Sequence, residues 1–201
     1  MVELSSRRRA IEDVASDLFR AHGYAATSVR DIARALDIQG PSLYAHVTSK
    51  EDVLFAIVDR TAGRFEAAAD AATGDAESGT MRAAHAPETL AALIRAHVRV
   101  ITDDVGAAGV FIHEWRALNG ERRAAVLQRR DAYERRFRDL IERGIASGDF
   151  EMTDPAIASM AILSALNGIP GWYQAGGRLT ADRVADHFAD LALRLLQGAS
   201  R

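Results

Sequence analysis

Between Thr27 and Lys50 the chain reads T-S-V-R-D-I-A-R-A-L-D-I-Q-G-P-S-L-Y-A-H-V-T-S-K, a run dense in groups that can meet a polyanion. Gln39 has an amide able to bond adenine at two positions of a base edge. Gly40, Pro41 and Ser42 are small or flat, which lets backbone approach a groove closely. Tyr44 and His46 add donors for phosphate oxygens. Thr27 and Ser28, at a helix amino end, offer hydroxyl and backbone N–H groups where the helix dipole is positive. Lys50 offers an ammonium at the start of another helix, and Arg30 is a further cation on the outer side of its helix. The chemistry these types share is non-covalent binding to double-stranded nucleic acid.

Such groups must be carried on short, accurately placed elements. Val29, Ile32, Ala33 and Leu36 form one inward face, followed by the break Asp37-Ile38-Gln39-Gly40 and then Leu43 and Val47. The break is too short for a linker and too polar for a continuous helix. It predicts a helix-turn-helix whose second helix, about Gly40 to His46 with Pro41 in its first turn, fits a major groove. The preceding helix is expected from about Ser6 to His22, with Ile11, Val14, Ala15, Leu18 and Phe19 on one face and Gly23 as its stop. Thr27 or Ser28 caps the second helix. Ser49 with Asp52 resembles a capping box that opens a long helix to about Gly74.

Further on, 73–80 is small and acidic and is expected to be a mobile loop. Helices then resume from Pro87, from Val110 to Leu118, from Glu121 to Ser147, from Pro155 to about Gln174, and from Thr180 to Gln197. The fold class expected is all-α with nine helices: residues 4–64 as a DNA-binding domain and 65–201 as a larger helical domain.

Composition sets the outer limits. The 201 residues carry 48% hydrophobic and 26% charged side chains, the balance of a globular protein. With no cysteine, thiolate metal sites, disulfides and cysteine nucleophiles are excluded. No apolar run approaches the ~20 residues that span a bilayer, and the amino end has no signal-peptide core, so a cytoplasmic location without membrane contact is expected. The net charge of −3 is unusual for a DNA binder. Residues 1–50 nevertheless hold seven cations against six carboxylates, with Arg7, Arg8 and Arg9 together. Those three either reach DNA or form a solvated amino end. Catalysis finds no support: His113-Glu114 lacks the second histidine of H-E-x-x-H because position 117 is Ala, and neither G-x-S-x-G nor a glycine-rich phosphate loop is present. No cofactor, metal site or enzyme activity is expected.

H22-G-Y-x-x-T27, V29-R-D-I-A33, S42-L-Y-x-H46 and S49-K-E-D-V-L54, in that order and without insertion, resemble the TetR family of transcriptional regulators. The resemblance implies a repressor that binds operator DNA as a homodimer, and it implies that Lys50 contacts the DNA backbone. Many members carry a cation where this chain has Gly40, which removes one phosphate contact. Dimerisation doubles what one short helix can read and implies a palindromic operator. The last two helices are the expected interface, through Ile157, Ala161, Leu163, Phe188, Leu191 and Leu195.

The same resemblance implies an effector pocket among the later helices. Phe111, Trp115, Tyr133, Phe137 and Trp172 supply aromatic surface, and His97, Arg116 and Asn167 supply polar anchors. F111-I-H-E-W-R-A-L118, R130-D-x-Y-E-x-x-F137 and N167-G-x-x-x-W-Y-x-x-G-G177 look like a subgroup that includes acyl-CoA-responsive repressors. An acyl-CoA needs cations for its phosphates, for which Arg116, Arg122, Arg123, Arg129 and Arg130 are available. Two alternatives stay open: a repressor of drug efflux sensing lipophilic aromatic compounds, and a helix-turn-helix protein acting through protein partners.

Overall fold

The computed structural model describes residues 2–74, 85–151 and 154–197, and among them there are nine α-helices and no strand. They are α1 (Val2–His22), α2 (Val29–Ala35), α3 (Gly40–Tyr44), α4 (Lys50–Thr73), α5 (Ala86–Asp103), α6 (Val105–His113), α7 (Gly120–Ser147), α8 (Pro155–Asn167) and α9 (Ala181–Leu196). The acidic stretch read as a loop lies, from residue 75 on, outside the described residues. Two compact units form: residues 1–62 with 104–128, and residues 63–103 with 129–201. The division at 64/65 expected from sequence therefore differs, because α6 and the start of α7 join the first unit. Ala107, Val110, Trp115, Leu118 and Val126 share one buried cluster with Ile11, Phe19, Ile32, Leu43, Leu54 and Ile57. Gly106 permits part of this, since a Cβ there would lie 3.2 Å from the Asp17 carboxylate on α1.

Local signals account for the ends of the helices in the first unit. Gly23, at φ +81°, closes α1 with its N–H donating to Phe19 O at 2.8 Å. Ser28, not Thr27, caps α2, and Asp31 completes a capping box. After α2 the chain turns without glycine. Asp37 takes φ +53°, the one non-glycine residue with positive φ among those described. Its N–H donates to Arg34 O, and that of Ile38 donates to Ala33 O at 3.0 Å. This is the paired-bond pattern of a Schellman stop, which outweighs the ~1 kcal/mol that a Cβ costs in this conformation. At α4, Ser49 Oγ accepts from Asp52 N–H, while the Asp52 carboxylate reaches back to Thr48 N–H.

In the second unit α5 packs along α9, and the ion pairs Arg95–Asp186 (2.7 Å) and Arg99–Asp182 (3.5 Å) run beside the contact. The residues of α4 in this unit are tied to α7 by a two-pronged Arg129–Glu66 pair, both bonds 2.7 Å. Two helices depart from expectation. Asp104 caps α6, accepting from Ala107 N–H, so the helix starts five residues before Val110 and ends at His113, followed by a 3-10 turn at Trp115–Ala117. α8 stops at Asn167 instead of Gln174, because Gly168 and Pro170 break the α-helical ladder into a 3-10 turn at Ile169–Gly171.

Candidate functional site

The outer surface of α2 and α3 carries the candidate DNA contacts. Leu43 is fully buried and anchors α3 to the core, so its neighbour Tyr44 must point away and is 57% exposed. Pro41 and Ser42 are exposed and Gly40 half-buried, with nothing within 4 Å of where a Cβ would stand on Gly40. Gln39 precedes the helix in extended backbone and spends no side-chain bond on capping it. Arg30 is exposed and His46 half-buried. A five-residue helix has no stability of its own. Leu43 and the Schellman stop hold it in place.

Three expected contacts are already engaged within the protein. Thr27 is a correction: its side chain is buried, and its hydroxyl donates to Gly23 O at 2.9 Å instead of facing outward. Ser28 is exposed, but its hydroxyl and its backbone N–H both donate to the Asp31 carboxylate, at 2.6 and 2.9 Å. These bonds, side chain first, hold the Asp31 carboxyl below its ordinary value, with Arg34 adding to the effect. The Lys50 ammonium donates to Tyr24 O and Thr27 O, both at 2.8 Å. Of the amino-terminal arginines, Arg8 pairs with Glu12 and Asp52 and Arg9 with Asp13, as ordinary members of α1.

The expected effector residues divide between the units. Phe111 and Trp115 pack against the first unit's core, and Arg116 lies over the Trp115 ring at 4.7 Å. Arg116 and Arg123 line a surface cleft of about 410 Å³ with Trp115 and Leu127. Arg122 is paired with Asp52, and Arg129 with Glu66. In the second unit His97, Tyr133 and Phe137 come together, joined by Phe65 of α4, which was not among the expected effector residues. Ring centroids in this group stand 4.6 to 6.2 Å apart.

His97 Nδ1 and the Tyr133 hydroxyl are 3.1 Å apart. Burial pushes the Tyr133 phenol up, so it keeps its proton, and one hydrogen bond joins it to Nδ1. Nε2 is buried and has no partner among the described residues. Burial first, and the Arg130 cation second, push His97 down to about 3, so the ring is neutral. A buried, neutral ring nitrogen without a partner costs about 1–3 kcal/mol, which a molecule bringing the complementary polar atom would recover.

Asn167 is half-buried, and Trp172 is 48% exposed with its ring parallel to that of Phe188. Trp172 adjoins an apolar surface rather than a buried pocket. On α8 and α9, Ile157 (55%), Met160 (56%), Leu191 (61%) and Leu195 (44%) are exposed. A groove of about 110 Å³ between the two helices is lined by Ala161, Phe188, Leu191 and Leu195 among others. Ala161 is exposed, and Leu163 and Phe188 are half-buried. Exposed apolar residues this large and this close together mark an association surface.

A short helix anchored by one buried leucine, presenting tyrosine, serine and glutamine outward beside a capped partner helix, defines a helix-turn-helix regulator of transcription. The sequence profile described as "Bacterial regulatory proteins, tetR family" matches residues 11–57, and "Tetracyclin repressor-like, C-terminal domain" matches residues 83–196. The chain belongs to the TetR family. It is 29% identical to the HTH-type transcriptional repressor KstR2 of Rhodococcus jostii over 94% of this chain and 90% of that one. A tetR-family regulatory protein from Rhodococcus RHA1 superposes with a TM-score of 0.82 at 30% identity, covering 96% of this chain and 98% of that one. AibR, solved with isovaleryl coenzyme A and operator DNA, superposes with a TM-score of 0.79 at 28% identity, covering 92% and 97%. This protein is thus a DNA-binding transcriptional repressor with a ligand-binding domain of the TetR type. No described helix is long and apolar enough to cross a membrane.

Proposed function

We propose that the protein represses as a homodimer on a palindromic operator and is released by a small hydrophobic effector, an acyl-CoA thioester. The observation that carries the effector class is the unpartnered Nε2 of His97 among the Phe65, Tyr133 and Phe137 rings, which donates when the ring takes its Nε2–H tautomer. Such a site takes an apolar chain bearing one uncharged oxygen acceptor, which a thioester carbonyl is. A cationic aromatic drug would meet no carboxylate among these four residues. The AibR complex with isovaleryl coenzyme A supports the same class. The exposed face of α8 and α9 supports pairing through Ile157, Ala161, Leu163, Phe188, Leu191 and Leu195. α3 of each protomer reads one half-site, with Gln39 on a base edge and Arg30, Ser42, Tyr44 and His46 on phosphates.

α4 gives the effector a route to the DNA contacts. Phe65 lies in the aromatic group and Lys50 begins the same helix, so a displacement of Phe65 passes along continuous backbone. In the dimer this changes the separation of the two α3 helices, and successive major grooves are no longer matched. Thermal-shift titration with isovaleryl-CoA, longer acyl-CoAs, free coenzyme A and lipophilic aromatic compounds tests the effector class. Acyl-CoA should raise the melting temperature and lower operator affinity in a gel-shift assay. A response to the aromatic compounds alone would transfer the protein to drug sensing.

A further inference from the structure

Lys50 opens α4 with its ammonium on Tyr24 O and Thr27 O, both at 2.8 Å. An ammonium has three protons and no acceptor capacity, so one that turns to a DNA phosphate releases carbonyls to do so. It cannot then anchor its own helix. The next two residues of α4 supply the anchor, and its other half comes from the turn that leads into α7. The Asn119 amide donates to Glu51 Oε2 at 2.7 Å, and the Asn119 backbone N–H donates to Oε1 of the same carboxylate at 3.2 Å. One residue thus takes both oxygens of Glu51 in a two-pronged grip. Beside it, Arg122 donates to Asp52 Oδ1 at 3.4 Å and lies 4.8 Å from the centre of the Phe55 ring. The other oxygen of Asp52 accepts from Thr48 N–H at 3.3 Å, in the turn that joins α3 to α4.

Asn119 stands on a firm base. Its neighbour Leu118 is 2% exposed, and Leu118 and Val126 lie in the same core cluster as Val53 and Leu54 of α4. The bonds themselves are at the surface. Exposed polar pairs contribute little to stability, so what this one contributes is direction. Asn119 and Arg122 also fall outside residues 11–57, matched by the amino-terminal profile, and inside residues 83–196, matched by the carboxy-terminal one. We propose that Asn119 is a positioning residue for operator binding: by gripping Glu51 it fixes the first turn of α4, so that the Lys50 ammonium is presented to a phosphate. The proposal rests on the phosphate contact that the family resemblance implies for Lys50. It adds to the operator-binding apparatus a residue from the carboxy-terminal profile, acting through α4 and not by touching DNA.

Salt dependence exposes such a role, because each phosphate neutralised by a protein cation contributes ~0.9 to the slope of log affinity against log salt. Operator duplexes selected from a random pool by the unaltered protein would be titrated by fluorescence anisotropy across a salt series. The full-length proteins compared are the unaltered chain, Asn119→Ala, Lys50→Met and the two changes together. Asn119→Ala removes no charge. It should nevertheless make the slope shallower by at least half of the ~0.9 per protomer that Lys50→Met removes, and weaken binding about 3- to 10-fold. Its melting temperature should be nearly unchanged. Added to Lys50→Met, it should alter neither slope nor affinity further, since both changes act on one contact. Glu51→Ala breaks the same grip from the other side and should give the same slope as Asn119→Ala; it decides the question should Asn119→Ala not fold. A residue that merely stabilised the fold would lower the melting temperature and leave the slope alone. An Asn119→Ala slope equal to that of the unaltered chain, or losses that add in the double variant, would overturn the proposal. An unchanged slope for Lys50→Met would overturn it too, and would show that the phosphate contact, not the grip on Glu51, is what fails.

Discussion

The two compact units put their chemistry in opposite places. In the first, the candidate DNA contacts stand on the outer side of very short helices, held by one buried leucine and by local bonds to backbone: a capping box, a Schellman stop and a lysine on backbone carbonyls. In the second, the one buried side-chain polar atom without a partner among the described residues, His97 Nε2, lies among aromatic rings and is held by packing and by the Tyr133 hydroxyl on Nδ1. A binding surface for a rigid polyanion needs accuracy of direction, which turns and caps supply. A site for a small apolar molecule needs exclusion of water, which rings supply. Each unit uses few groups for the other purpose; the bare apolar face of α8 and α9 is the second unit's exposed exception.

That exception gives the largest expected effect. Leu191→Glu combined with Leu195→Glu should yield monomers in sedimentation velocity and lower operator affinity by ~100- to 10,000-fold, because two linked half-site contacts become independent. The second unit should stay folded, since both side chains are exposed. Persistence of the dimer would mean that the exposed face serves another purpose. The next test compares neighbours on α3. Leu43→Ala should cost ~2–5 kcal/mol of stability and operator binding with it. Tyr44→Ala should leave the unfolding midpoint unchanged while affinity falls ~10-fold in a gel-shift titration. Equal effects on stability would erase the separation between anchor and reader.

The third test concerns the second unit alone. Folded, His97 takes up a proton only near pH 3, whereas unfolded it does so near 6.5. Between those values the unfolded chain binds the extra proton, so stability falls as pH drops from about 6.5 towards 3 and is unaffected by this group above that range. Chemical denaturation across this window should show a shallower pH dependence for His97→Gln than for the unaltered chain. The smallest effect is a gain. Gly40→Lys meets no obstruction and should tighten operator binding a few-fold, steepening the salt slope by ~0.9 per protomer at unchanged stability. An unchanged slope would place Gly40 away from phosphate.

The same contrast explains what was legible in the sequence. Helical periods, glycine and proline stops and S-x-x-D caps are local, so α1, α2, α4, α5, α7 and α9 fall close to their expected ranges. Asp37 in left-handed backbone, the early start of α6 and the break at Pro170 depend on bonds or packing that composition does not display. Residue type also fails to give direction. Thr27 and Lys50 have the chemistry for phosphate, yet both face the protein's own carbonyls, and a capping box of Ser28 with Asp31, not singled out in the sequence, already occupies the Ser28 donors. The aromatic candidates show the reverse problem. Phe111 and Trp115 cannot be told from Tyr133 and Phe137 by type, and only the packing of α6 on α1 assigns them to a different core. Phe65 carried no signal beyond helical periodicity.

The Schellman stop at Asp37 has a mechanical consequence. A glycine there would be a pivot, free to sample many angles before DNA is met. An aspartate at φ +53°, locked by two hydrogen bonds, has almost no alternative to sample. The joint between α2 and α3 is therefore a weld. α3 cannot adjust its tilt to an imperfect half-site, so a mismatch must be borne by the DNA or by displacement of the entire first unit. Selectivity for operator shape, beyond the few bases α3 can touch, follows from that stiffness.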